Sequence, residues 1–247
     1  DLVLIEIPGI TITPGVVPTA VWSEGQGNIT RIGLSALKKK NFSNSEIYFH
    51  SNFKRLIGNS VERQKNKVLS PIESGEKFFK ILWENIPKEL DIKRLVLTAP
   101  IDTYKGYRKW LINLCEDLPV NEIAIVDEPT AAGIGINVPL GSKILVIDIG
   151  GSTTDMSVIK TQGGEGKSAP IAELLRFQGK DVSSISKQKV RCAEIISKSG
   201  SKIGGQDIDQ WIVNYFLSSN YDERNLSIAE KFKCKLSGSE IKHERRY

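Results

Sequence analysis

The apolar positions of this chain fall in short runs between Pro, Gly and Ser clusters, and their spacing alternates between strand-like and helix-like. Residues 2–7 and 16–22 predict short strands, and a helix opens within 29–37. Phe78, Phe79, Ile81, Leu82 and Trp83 predict a helix over 74–83 that Pro87 closes. The segment RLVLTAP reads as a buried strand. Residues 102–118 follow as a helix with Asp102 as N-cap and Tyr107, Trp110, Leu111, Leu114 and Leu118 on its core face. Residues 122–126 predict another strand, and Pro129 opens a helix through Ala131, Ala132 and Ile134. In 143–160, KILVIDIGGSTTDMSVIK, two apolar strands flank a glycine-rich turn.

Beyond that hairpin, 161–169 reads as a polar tip, 171–178 as a third strand and 179–187 as a Ser- and Lys-rich loop. Helices are expected over 187–197, over 207–219 with Ile208, Trp211, Ile212 and Tyr215 on one face, and over 227–236. Alternating strands and helices imply an α/β fold with helices packed on a mixed sheet. The stretch 135–142 is a natural boundary, giving lobes of 1–140 and 141–247.

At 247 residues, 40% hydrophobic and 26% charged, the chain can bury a sizeable core. A net charge of +5 spread along the chain argues against a nucleic-acid track, and the runs at 38–40 and 245–246 read as solvated faces. The opening LVLIEIPGITI is too short and too interrupted to span a membrane. Cys115, Cys192 and Cys234 have neither disulfide nor zinc spacing, which suits a reducing cytoplasm. His50 and His243 have no ligand or nucleophile partner in view and read as structural or exposed.

The hairpin turn carries the sharpest chemical signal. Gly150 and Gly151 allow a backbone nest for anionic oxygens, and Ser152, Thr153 and Thr154 add hydroxyls. Asp148 and Asp155 flank the turn, where carboxylates can hold the water shell of a Mg²⁺ that accompanies phosphates. A glycine pair alone would mean an ordinary hairpin with solvated aspartates; the flanking carboxylates and hydroxyls favour a phosphate and metal site. Glu128 precedes Pro129 at a strand-to-helix junction, where α/β sheets present ligand-binding groups, and can orient a water for attack on phosphorus. A helix-start acid is its plainer meaning. Lys54, with Arg55 beside it, suits a transferring phosphoryl group or is simply a surface cation. Gly204 and Gly205 precede a helix that can receive an anion, or form a tight loop capped by Asp207. Glu230, Lys233 and Ser237 share a helix face able to grip a nucleoside, and spacing alone makes that a solvated face.

The stretches FKRLIG, VDEPTAAGIG, VIDIGGSTTD, KIGGQDID and AEKFKCKLS lie in the order and approximate spacing of the nucleotide-binding domain of DnaK-type, seventy-kilodalton heat-shock chaperones. The chain resembles that family, within the actin-like ATPase superfamily. The resemblance implies a two-lobed, ribonuclease H-like α/β fold and ATP/ADP with Mg²⁺ as cofactors. By motif, Lys54 is similar to the family's catalytic lysine, Glu128 to its EPTAA acid, and Asp148 and Asp155 to the two aspartates of its second phosphate loop. Gly150, Gly151, Ser152 and Thr153 match the second phosphate loop, and Gly204 and Gly205 the glycines before the outer part of the second lobe. Glu230, Lys233 and Ser237 fall where the family grips the adenosine sugar and base, with Cys234 where the family has a base-stacking arginine. No DxGTT-like first phosphate loop precedes Asp1, and the chain stops before the later GGS loop, so an architecture incomplete at both ends is expected, with extra residues between Phe177 and Val190.

The function so implied is an ATP-binding and ATP-hydrolysing domain of a chaperone-like protein with nucleotide-driven lobe closure, cytoplasmic, with co-chaperones and unfolded clients as partners of the whole protein. An actin-like filament or scaffold using ATP as a structural switch is the main alternative. A small-molecule kinase of the same superfamily would need an acceptor pocket that no segment supplies.

Overall fold

The computed structural model describes residues 3–24, 29–39, 47–51, 53–57, 69–136, 138–161, 173–177, 180–181, 193–217 and 223–238. In chain order the elements are β1 (Val21–Glu24), β2 (Ile29–Ile32), α1 (Gly33–Lys39), β3 (Ile47–His50), α2 (Phe53–Leu56) and α3 (Pro71–Glu84). There follow β4 (Arg94–Ala99), α4 (Tyr104–Cys115), β5 (Glu122–Asp127), α5 (Glu128–Gly135), β6 (Lys143–Ile149) and β7 (Thr154–Thr161). The last are β8 (Glu173–Phe177), β9 (Lys180–Asp181), β10 (Ala193–Ser201), α6 (Gly205–Leu217) and α7 (Glu223–Ser237).

These form sheets with strand orders β2-β1-β3, β4-β5-β8-β9 and β10-β7-β6. The β4–β5 pair is parallel, joined through α4, whereas the other pairings are antiparallel. The main core gathers Val21, Ile32, Phe53, Ile57, Leu111, Ile123 and Ile125, all buried, with Tyr107 and Cys115 from α4. Each such side chain removed from water contributes roughly 1.5–3 kcal/mol. Helix α3 begins at a capping box: the Glu73 N–H donates to Ser70 Oγ, the Ser70 N–H donates to the Glu73 carboxylate, and Pro71 occupies the first turn. That signature places its start at Pro71, ahead of the expected Ser74.

Helix α5 lies on the β6–β7 hairpin with no room for a side chain at Gly133. A Cβ there would sit 2.5 Å from Ile159 Cδ1 and 2.9 Å from Val146 Cγ2. The helix is thereby seated close to the sheet, with the buried Ile159 and Val146 beneath it.

Several expectations need correction. The helix expected over 187–197 is, where described, strand β10, paired to β7 along Ala193–Ser201. Its serines and Gly200 are poor helix formers, and the open edge of β7 satisfies its backbone. The strand expected at 171–178 is β8, which pairs antiparallel with β5 and not with the hairpin. Residues 29–37 divide into β2 and α1, the strand expected over 16–22 begins only at Val21 and runs on to Glu24 as β1, and residues 3–7 form no strand. Thr103, not Asp102, precedes α4, and it makes no side-chain capping bond; Asp102 pairs with Lys202 at 3.5 Å. On α6 the face chosen from periodicity is open, with Trp211 54% and Tyr215 83% exposed, while Val213 and Asp209 are buried. Lys39 lies over the Trp22 ring at 4.5 Å, so that lysine is more than a solvated charge. The hairpin tip over 162–169, most of the 179–187 loop, Lys40, Cys192, His243, Arg245 and Arg246 lie outside the described residues. No helix of the described residues is long and apolar enough to cross a membrane.

Candidate functional site

Beyond the C-terminal ends of β4 and β5, a cavity of about 240 Å³ is lined by Pro100 and Thr103 after β4, Glu128 after β5, and Lys54 and Arg55 of α2. Its opposite wall is the turn Gly150–Thr153, with Lys202 and Gln206. Parallel strands deliver their following loops to one end of a sheet, which is why such crevices collect polar groups.

Lys54 Nζ lies 2.6 Å from Glu128 Oε1. The lysine is positioned from behind: Phe53 and Ile57, four apart and buried, anchor the single turn α2. Glu128 is positioned by Asp127, whose extended backbone and carboxylate cap α5 by accepting the Thr130 N–H at 3.0 Å. The helix thus opens one residue before Pro129. Asp127 is held in turn by Lys198, whose Nζ donates at 3.3 Å and also lies over the Tyr104 ring at 5.3 Å. Burial, then the negative charge of Glu128, pushes the Tyr107 phenol above its ordinary pKa, so it stays protonated at neutral pH.

The hairpin turn closes by the Gly150 N–H donating to the Thr153 carbonyl at 2.9 Å. The left-handed glycines among the described residues are Gly9, Gly15, Gly33 and Gly141, so Gly150 and Gly151 are not used for a positive φ. Their value lies in an uncluttered backbone: a Cβ on Gly151 would meet nothing within 4 Å. The Gly150 and Gly151 carbonyls accept the N–H groups of Gly205 and Gln206 at 3.0 and 2.8 Å. A trans peptide sets N–H opposite to C=O, and no cis bond is present among the described residues, so the Gly151 and Ser152 N–H groups point away from α6. The first N–H groups of α6 are therefore occupied by the turn, not open to an anion as the glycine pair suggested.

Gly204 makes this docking possible. A Cβ there would lie 2.7 Å from the backbone N and C of Ser152 and 2.8 Å from the Gly150 carbonyl oxygen. Arg55 locks the same junction, donating to Asp207 Oδ1 at 2.7 Å and to the Lys202 carbonyl at 2.8 Å. Asp207 also accepts the Gly204 N–H at 2.8 Å. Burial works against ionisation of Asp207, but the Arg55 and Gly204 bonds outweigh it and hold the carboxyl below its ordinary value.

Asp148 and Asp155 face one another across the β6–β7 ladder. They sit beside the cavity, whose wall is made by the turn between them. Asp155 is 1% exposed; its Oδ1 accepts the Ile101 N–H at 3.1 Å, and its Oδ2 has no partner among the described residues. Burial raises its pKa above the usual aspartate value, hydrogen bonds from Thr153 and Ile101 oppose the rise, and the charges of Asp148 and Asp102 add to it. An orphaned buried oxygen opposite a second carboxylate fits a cation. Among the described residues no cluster of three or more His, Cys, Asp or Glu forms a metal cage. The donor set therefore suits an ion that keeps most of its water, as Mg²⁺ does.

A second cavity of about 510 Å³ adjoins the first, sharing Thr19, Ser51 and Gln206 with it. Glu230 lines it, with Leu226 and Ser227 from α7 and Asp209 and Gln210 from α6. Lys233 does not face it freely: its Nζ is 2.7 Å from both Asp209 Oδ2 and the Gly205 carbonyl. Ser237 is exposed at the end of α7, outside both walls. Thr19, Gln206, Asp209 and Lys202 were missed by motif reading. Spacing of Gln206, Asp209 and Gln210 on one helix face was the signal, obscured by the apolar positions of α6.

The chain is 28% identical over 223 residues to the chaperone protein DnaK of Ureaplasma parvum, a match covering 82% of this chain and 32% of the relative. It is 29% identical over 163 residues to that of Metamycoplasma hominis, covering 63% and 26%. The chain thus spans between a quarter and a third of the length of these curated relatives. Among solved structures it resembles MreB 5 of Spiroplasma citri bound to AMPPNP, with a TM-score of 0.56 and 18% identity over 93% of this chain and 57% of that one. The ADP-bound MreB5 gives 0.57 and 19% with the same coverage. The fold is accordingly the α/β actin-like ATPase fold. The family profile described as MreB/Mbl protein matches residues 9–172, a span from the loops before β1 to the segment after the hairpin that holds every residue of the smaller cavity except Lys202 and Gln206. What the motifs first likened to the DnaK-type chaperones is, on that match, a chain that belongs to the MreB/Mbl protein family.

Proposed function

We propose that this chain binds ATP with Mg²⁺ and hydrolyses it, the phosphates lying in the smaller cavity and the nucleoside in the larger. The observation that carries this reading is the Lys54–Glu128 pair, which opens with the Gly150–Thr153 turn onto one 240 Å³ cavity. A cation, a carboxylate and an unobstructed backbone turn are the parts that phosphoryl transfer requires, since its catalysis is mostly positioning and charge neutralisation. In this reading the Gly151 and Ser152 N–H groups and the Ser152 and Thr153 hydroxyls meet the phosphates. Lys54 neutralises them, and Glu128 orders the attacking water. Asp148 and Asp155 would hold the Mg²⁺, which supplies further neutralisation of phosphate charge when bound. Gly204 and Gly205 act by holding the turn, and Glu230 and Lys233 belong to the nucleoside end. Ser237 would join them only if α7 moved toward the cavity. The AMPPNP and ADP carried by the structural neighbours support the choice of nucleotide.

For the whole protein we take ATP as a switch that closes lobes 1–140 and 141–247 and controls assembly of an actin-like filament or scaffold, the output that membership of the MreB/Mbl family favours. A chaperone-like ATPase acting on unfolded clients with co-chaperones is the second reading, favoured by the DnaK relatives that match 82% of the chain. Calorimetric titration of Mg-ATP, with phosphate release and ATP-dependent sedimentation, tests these readings. Binding heat and acceptor-independent phosphate release are expected; no heat would sink the nucleotide reading. Concentration-dependent pelleting supports the assembly output, and a monomer at all concentrations turns the balance to the chaperone.

A further inference from the structure

Resting on the nucleotide reading above, we infer that Asp209 is a specificity-determining residue that accepts a hydrogen bond from a sugar hydroxyl, so that the larger cavity selects ribose over deoxyribose. Asp209 is 5% exposed and lines that cavity. Its Oδ2 is fixed by Lys233 Nζ at 2.7 Å, and Lys233 is itself tethered to the Gly205 carbonyl at 2.7 Å. The carboxylate cannot turn without breaking that arrangement. Its other oxygen, Oδ1, is buried and has no partner among the described residues. Buried acceptors are almost always paired, because an unpaired one has lost its water for nothing in return.

The chemistry of the missing partner follows from the acceptor. A carboxylate paired with lysine only accepts, so the partner is a hydrogen-bond donor and not a phosphate oxygen or a carbonyl. Its position follows from α6. Gln206 lines both cavities, whereas Asp209, one turn further along the same face, lines the larger alone. A group that meets Asp209 is therefore next to the phosphate end, where a nucleotide carries its sugar hydroxyls. Glu230 and Ser227 face the same space from α7.

The test is calorimetric titration of the whole chain with Mg-ATP, Mg-2′-deoxy-ATP and Mg-3′-deoxy-ATP, for the natural protein and for Asp209→Ala. The natural protein is expected to bind ATP about tenfold tighter than at least one deoxy analogue. Asp209→Ala is expected to bring the three within about twofold of one another, by the same reasoning. If the substitution weakens all three by one factor and leaves their ratio intact, Asp209 acts only by holding Lys233 and the inference is overturned. Equal affinity of the natural protein for all three overturns it without any variant, while leaving ATP binding standing. No binding of any nucleotide removes the ATP reading and this inference with it.

Discussion

The Lys54 ammonium and the Glu128 carboxylate meet at 2.6 Å across 74 residues of sequence. One stands on a single helical turn anchored by Phe53 and Ile57, the other at the start of a helix capped by Asp127. Lys54 is 42% exposed and Glu128 16%, so the pair adds little to stability. Both residues line the 240 Å³ cavity, where a ligand would meet them.

Lys54→Ala and Glu128→Gln are each expected to lower ATP turnover about 100-fold while shifting unfolding by no more than about 1 kcal/mol. Phosphate-release assays beside thermal melts check this. A variant that melts early in proportion to its lost activity would show a structural pair instead.

Gly204→Ala forces a methyl group against the Ser152 backbone at 2.7 Å. A loss of about 2 kcal/mol is expected, with weakened nucleotide binding, because backbone cannot move aside as a side chain can. Gly151→Ala meets nothing within 4 Å and is expected to leave the melting point nearly unchanged, so urea denaturation of the two variants separates crowding from a general need for glycine.

Asp155 and Asp207 should oppose each other in pH dependence. The raised Asp155 carboxyl keeps a proton in the folded state that the unfolded chain has lost, so its contribution is greatest below the unfolded pKa and declines as pH rises through the folded one. The lowered Asp207 contributes fully above the unfolded pKa and loses that contribution as pH falls through the folded one. Asp155→Asn is therefore expected to stabilise the metal-free protein at pH 7, with the gain shrinking in acid. Asp207→Asn should destabilise it at pH 7, with the loss shrinking in acid. Mg²⁺ is expected to raise the melting point of the natural protein and not of Asp155→Asn. Melts across pH with and without Mg²⁺ read all these signs.

Arg176 is 7% exposed, and its guanidinium donates to the carbonyls of Cys115, Glu116, Leu118 and Val120 at and beyond the C-terminus of α4. Arg176→Leu strands those acceptors and is expected to cost about 3 kcal/mol or more, measured by chemical denaturation. Burial pushes the neighbouring Cys115 thiol up to about 11 against the lowering effect of Arg176, so loss of the arginine is expected to make that thiol still less reactive toward alkylating reagents in the folded state.

Much of the fold was legible because it rests on local rules. The helical spacing in α3 and α4 and the apolar runs of β4, β5, β6 and β7 each announce themselves over a few residues. The segment that became β10 did not, because Lys and Gly are depleted in strands and only the free edge of β7 decides the matter. Trp211 and Tyr215 misled for the opposite reason: apolar spacing names a helix face, yet what covers that face is a tertiary fact.

By itself the amino-acid sequence determined the residue types of the Gly150–Thr153 turn, the Glu128-Pro129 junction and the Gly204-Gly205 pair, since backbone freedom and side-chain chemistry are local properties. Only the tertiary structure decided that Gly204 is needed for close backbone contact with Ser152, that the α6 N–H groups serve the turn, and that Arg55 belongs to Asp207. It alone decided that Asp209 keeps a buried oxygen without a partner among the described residues. Distances between segments 50 to 150 residues apart are set by how helices and sheets pack, and no local pattern along the chain encodes them.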